Sequence, residues 1–131
     1  MAFQITPGEV EYQYGRSLAA VAYKVFLATT GSLTYASSLA AWEAAELPSI
    51  NGYQAVTGTI AAGSYDETTG IFAGPSISGQ FIGSNAGFTY DAMVIKLANR
   101  TKPYAINIYD LPRTLAAGQA RGFRHTFGVK L

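Results

Sequence analysis

The stretch from Phe88 to Leu97 does most to limit what this chain can become. Its centre, Met93-Val94-Ile95, is apolar at every position, whereas a strand with one wet face alternates apolar and polar side chains. A strand of that kind has to be covered on both sides, which places it in the middle of a layered β structure. Ala19 to Thr29 is the second strong run. Val21, Tyr23, Val25 and Leu27 share one face, and Ala22, Lys24 and Phe26 share the other.

One segment breaks the β pattern. Ser38-Leu39-Ala40-Ala41-Trp42-Glu43-Ala44-Ala45-Glu46-Leu47-Pro48 gathers good helix formers between a start and a stop signal. Ser37 or Ser38 supplies an N-cap oxygen, and Pro48 pushes the residue before it out of the helical region. Leu39 and Trp42, three apart, face the same way. The expected fold class is therefore mainly β: an antiparallel β-sandwich or jelly-roll-like core with one short α-helix at about 38–47, and Trp42 pinning that helix to the sheet.

The remaining chain reads as strands joined by turns. Asn51-Gly52 is a strong turn pair. Tyr53 to Ile60 follows as a strand in which Gly58 marks a bulge or a close backbone approach. Tyr65 to Phe72 reads as a tight hairpin with Asp66-Glu67 near its tip, and Ser76 to Ile82 as a strand. Tyr104 to Tyr109 alternates, Leu111-Pro112 ends the pattern, and Leu115 to Arg121 reads as a loop of small residues. Phe123 to Leu131 alternates again, with Phe123, His125 and Phe127 on one face. Residues 1–17 read as an N-terminal arm or edge strand, and residues 18–131 as a single β-rich domain.

Composition bears on what such a domain is for. Of 131 residues only 13% are charged, about half the usual globular share, while 49% are apolar, with nine tyrosines and seven phenylalanines. A surface so poor in charge suits a subunit that spends much of its area on permanent contacts with other chains. A net charge of +1 provides no electrostatic footprint for nucleic acid. There is no cysteine, so disulfides, thiol catalysis and cysteine-type zinc sites are excluded. The first seven residues lack the basic then apolar pattern of a signal peptide. No run approaches the ~20 apolar residues of a membrane helix, since Lys24 interrupts the longest.

No constellation for catalysis emerges. His125 is the only histidine and has no second histidine or cysteine to complete a familiar site, so a structural or interface role is expected of it. Glu43 and Glu46 read as a solvated helix face. Asp91, inside a strong strand, is either solvent-facing or paired, with Arg100 or Lys96 as the candidates. The glycines follow turn spacing, none opening a helix as a phosphate loop would, and no Gly-x-Ser-x-Gly occurs. No enzyme activity, cofactor or metal is expected. The residues singled out are for contact: Arg113, Arg121 and Arg124 as one basic cluster, and Phe3, Ile5, Tyr12, Tyr14 and Arg16 on the arm. Aromatic and arginine side chains are what interface hot spots are built from. A carbohydrate-binding β-sandwich module with exposed tyrosines as a stacking platform is the other class the residues allow.

Three segments taken together, Leu39 to Tyr53 (ending Asn51-Gly52-Tyr53), Gly63-Ser64-Tyr65-Asp66, and Phe88-Thr89-Tyr90-Asp91-Ala92-Met93-Val94-Ile95, resemble small structural proteins of tailed bacteriophages, cyanophages among them. The resemblance covers roughly residues 19–97 and does not extend to the part of the chain from Tyr104 onward. It implies a non-enzymatic virion component: a capsid decoration (cement) subunit, or a tail, neck or fibre-associated one. Such a subunit would be a homo-oligomer partnered with major capsid or tail proteins. The resemblance assigns no site residues.

Overall fold

A computed structural model describes residues 18–61, 64–66, 68, 71–73 and 75–127. The described chain is mainly β, antiparallel, and consistent with a β-sandwich. In chain order the elements are β1 (Ala22–Ala28), α1 (Leu39–Ala44), β2 (Val56–Thr59), β3 (Ser64–Asp66), β4 (Ile71–Ala73), β5 (Ser76–Ile82), β6 (Phe88–Leu97), β7 (Ala105–Leu115) and β8 (Ala120–Thr126). They form a four-stranded sheet in the order β2-β1-β6-β7 and two pairs, β3-β4 and β5-β8. Two compact units emerge. Among the described residues, the larger comprises 22–58 and 79–123, and the smaller comprises 18–21, those described within 59–78, and 124–127.

In the larger unit β6 is central, as its apolar middle requires. It pairs antiparallel with β1, Val25 opposite Ile95 and Phe26 opposite Val94, and with β7 on its other side. Both faces of the β1-β6 ribbon are covered. Val25, Phe26, Leu27 and Ala28 are all fully buried, as are Ala92, Val94 and Leu97. Helix α1 closes the face carrying Phe26, Ala28, Ala92 and Val94, where Trp42 joins them in one core cluster. Aromatic rings fill the rest of the interior. Tyr53 stacks on Phe81 at 6.2 Å and meets Phe88 edge-on at 5.6 Å, and Phe81 continues to Phe123 at 5.7 Å.

The helix is shorter than the expected 38–47. Ser38 caps it by accepting from the Ala41 N–H at 3.1 Å, but it ends at Ala44, well before Pro48. Its end is set by pairing. Ala28 and Glu46 form an isolated bridge, and the Leu47 N–H donates to the Leu27 carbonyl at 3.0 Å, so the chain leaves the helix to run against β1. Lys24 and Lys96 stand directly opposite on β1 and β6, an unfavourable pair of like charges. The two glutamates of this region resolve it: Glu46 takes Lys24 at 2.7 Å and Glu43 takes Lys96 at 3.2 Å. Glu43 therefore ties the helix to β6 and Glu46 ties the segment after the helix to β1, so the two are not a merely solvated helix face.

Turn chemistry accounts for the connections. Asn51 and Gly52 both have positive φ, 55° and 87°, as the primed hairpin turns require. Gly58 is a close approach, because a side chain there would run into the Tyr23 ring. The expected break at Leu111-Pro112 does not occur. β7 runs on to Leu115, and the strand expected over 104–109 is its first half. Proline is tolerated because β7 is the outermost strand of its sheet, so the missing N–H removes no ladder bond, and because the chain bulges there. Tyr90 pairs with Arg113 but Ala92 with Ile108, so Asp91 alone stands against the four residues Tyr109 to Pro112. Likewise Arg121 lies in β8 rather than in a loop. The turn before it is centred on Ala117-Gly118.

The smaller unit carries the expected hairpin, with Tyr65 opposite Phe72 and Asp66 opposite Ile71. Leu18, Ile60, Ile77 and Phe127 are buried in it, and the Phe127 N–H donates to the Pro75 carbonyl at 2.8 Å. The proposed arm, residues 1–17, lies outside the described residues.

Candidate functional site

The β6-β7 bulge gathers the side chains best suited to recognition in the larger unit. Four residues of β7 arch over one residue of β6, and the arch carries Tyr109, Asp110, Leu111 and Pro112. Leu111 is 77% exposed, the most exposed large apolar side chain described. Asp110 and Pro112 beside it are exposed as well. Arg113 closes the arch with its guanidinium 3.8 Å from the centre of the Tyr109 ring, and Tyr109 in turn meets Tyr90 edge-on at 5.9 Å. That stack fixes an arginine in place while leaving its in-plane N–H donors available to an acceptor.

Tyr90 is the buried floor of this cluster. It is 1% exposed and its hydroxyl makes no hydrogen bond. Burial raises its pKa above the ordinary tyrosine value, opposed by the positive charges of Arg121 and Arg113. Of the three arginines singled out in the sequence, the fold seats Arg113 in this cluster through its stack on Tyr109. Arg121 and Arg124 are both exposed on β8, Arg124 in the smaller unit. The ion pairs among the described residues are Lys24–Glu46 and Lys96–Glu43, so no described carboxylate is paired with Arg113 or Arg121. Phe3, Ile5, Tyr12, Tyr14 and Arg16 lie outside the described residues.

Asp91 has neither partner suggested for it. Its Oδ1 accepts the Thr30 backbone N–H at 2.6 Å, holding β6 where the bulge begins, while Lys96 is taken by Glu43. A second polar network is structural. The Tyr53 hydroxyl donates to Glu46 Oε2 at 2.8 Å and accepts the Leu27 N–H at 3.0 Å, and burial drives its pKa far up.

Sequence reasoning missed Leu111 and Tyr109, because an exposed leucine before a proline reads as a strand end. It also missed an open groove of about 540 Å³ lined by Tyr35, Ser37, Ser38, Leu39, Lys102 and Pro103 among others. Tyr35 is 63% exposed, and its hydroxyl accepts the Ile108 N–H at 3.1 Å, which steadies the ring beside the groove.

His125, in the smaller unit, is half-buried with its ring edge-on to Phe127 at 4.8 Å. Burial lowers its pKa below the ordinary 6.5. The folded state thus binds the proton less readily than the unfolded chain, so the stability held at neutral pH falls as pH drops through 6.5 and levels off below the folded pKa. Denaturant titrations across that window should give the wild type a steeper loss than His125→Gln, by up to about 1.4 kcal/mol per pH unit. Identical slopes would show that the ring does not titrate differently on folding.

No group of three or more histidine or acidic side chains placed to hold a metal occurs among the described residues, and no helix there is long and apolar enough to cross a membrane. No protein-family model matches the chain, and neither does any curated protein or solved structure.

Proposed function

We propose that this chain is a non-enzymatic structural subunit of a phage virion, a capsid decoration (cement) protein that binds and stabilises the particle through contacts with neighbouring virion proteins. The observation that carries the reading is the bulge on β7: a 77% exposed leucine on the outermost strand, flanked by an aspartate and by an arginine stacked on tyrosine. An apolar centre with a polar rim is the anatomy of a protein–protein interface, and tyrosine and arginine are the side chains that most often anchor one. The phage-like segments of residues 19–97 and the low charge of the whole chain support it. A tail, neck or fibre position is the alternative within the same class.

Mass spectrometry of purified particles should find the chain in regular copy number. Leu111→Asp should lower its incorporation at least about tenfold, the loss expected for a hot spot of 1.4 kcal/mol or more, without moving its melting temperature. Full incorporation of the variant, or absence of the wild-type chain from particles, would overturn the reading. The steadied Tyr35 ring beside a groove favours a second reading, a carbohydrate-binding module. Under that reading Tyr35→Ala abolishes glycan binding, while Leu111→Asp has no effect.

A further inference from the structure

We infer that the Asp110–Arg113 bulge is a self-complementary contact by which two copies of this chain associate about a two-fold axis. This rests on the structural-subunit reading and names one of its partners. The two ends of the arch carry opposite charges, with Leu111 and Pro112 between them. A two-fold axis passing between Leu111 and Pro112 brings Asp110 of one copy to Arg113 of the other, and Arg113 of the first to Asp110 of the second. That reciprocity is the defining property of an isologous interface. The same axis sets the exposed Leu111 of each copy against Pro112 of the other, so that both apolar pairs lie beside the axis at the centre, where water is excluded.

Three features favour a second copy over an arbitrary acidic partner. Asp110 and Arg113 form no ion pair among the described residues although only two residues separate them, so each is available outward. Arg113 is held by its stack on Tyr109, which lowers the cost of fixing it in a bidentate contact with a carboxylate. The bulge also breaks the regular edge of β7, so the contact is one of side chains at a protruding arch rather than an added strand.

The test is a charge exchange on the full chain. A contact of this size is weak alone, so sedimentation is run up to about millimolar protein. The wild type should show a concentration-dependent dimer that weakens with salt. Asp110→Arg and Arg113→Asp should each be monomeric, since each sets like charges against one another. Mixed in equal amounts they should associate again, because one supplies both arginines and the other both aspartates. Recovery in the mixture also proves both variants folded. Should either variant fail to fold, the chain's lack of cysteine allows a second measurement: Leu111→Cys should oxidise to a disulfide dimer faster than the exposed control Ile50→Cys. A mixture that stays monomeric, single variants that associate like wild type, or equal cross-linking at the two positions would each overturn the inference. Loss of particle incorporation by Leu111→Asp alongside a monomeric mixture would keep the structural-subunit reading and assign the bulge to another virion protein.

Discussion

Replacing Trp42 with alanine is expected to cost about 3–5 kcal/mol, read as a fall in the urea midpoint at unchanged slope. Trp42 is fully buried and is the largest member of the cluster with Phe26, Ala28, Ala92 and Val94. Those neighbours belong to β1 and β6, the two central strands of the sheet, which cannot collapse into the space the indole leaves. Helix α1 is only six residues long, too short to persist without the packing that Trp42 provides. Trp42→Phe should be much milder, about 1–2 kcal/mol. The indole N–H has no hydrogen-bond partner, so phenylalanine removes a buried unsatisfied donor along with part of the ring. Equal costs for the two variants would mean that the cluster is not the close-packed one described.

Gly87→Ala is the second large effect expected, about 2–4 kcal/mol. The backbone there has φ +73°, which disfavours any side chain, and a Cβ would also collide with the Leu115 carbonyl oxygen across the β6-β7 pairing. Gly118→Ala separates the two causes. It has φ +79° but nothing within 4 Å of a Cβ, so only the backbone cost of about 1 kcal/mol should appear. Thermal or urea unfolding of both variants measures the difference. A Gly87→Ala cost no greater than that of Gly118→Ala would show that β6 and β7 can separate there without penalty.

Much of this architecture was determined by the sequence alone. The apolar middle of Phe88–Leu97 required a central strand, and β6 lies between β1 and β7. Asn51-Gly52 required a turn, Ser37 or Ser38 an N-cap, and the size of Trp42 burial under the helix; the turn is observed, the cap is Ser38, and Trp42 is buried. These features are local: a cap bonds three residues away, a turn closes within four, and alternation is a property of consecutive side chains.

Only the tertiary structure decided which distant groups meet. Asp91 is held by a backbone N–H 61 residues away, and the lysines at 24 and 96 are matched to Glu46 and Glu43 by the register of β1 against β6. The end of helix α1 was set by pairing with β1 rather than by Pro48. Leu111-Pro112 read as a strand end because proline removes a ladder bond in most strands, but an outermost strand has no ladder bond to lose on its open side. The same bulge decided the candidate site. Arg113 stacks on Tyr109, and Tyr109 meets Tyr90 edge-on, only because the bulge of β7 is paired against β6. Periodicity assigns each side chain to a face, but the company it keeps there depends on strand order and register, which are set by the burial of the whole chain.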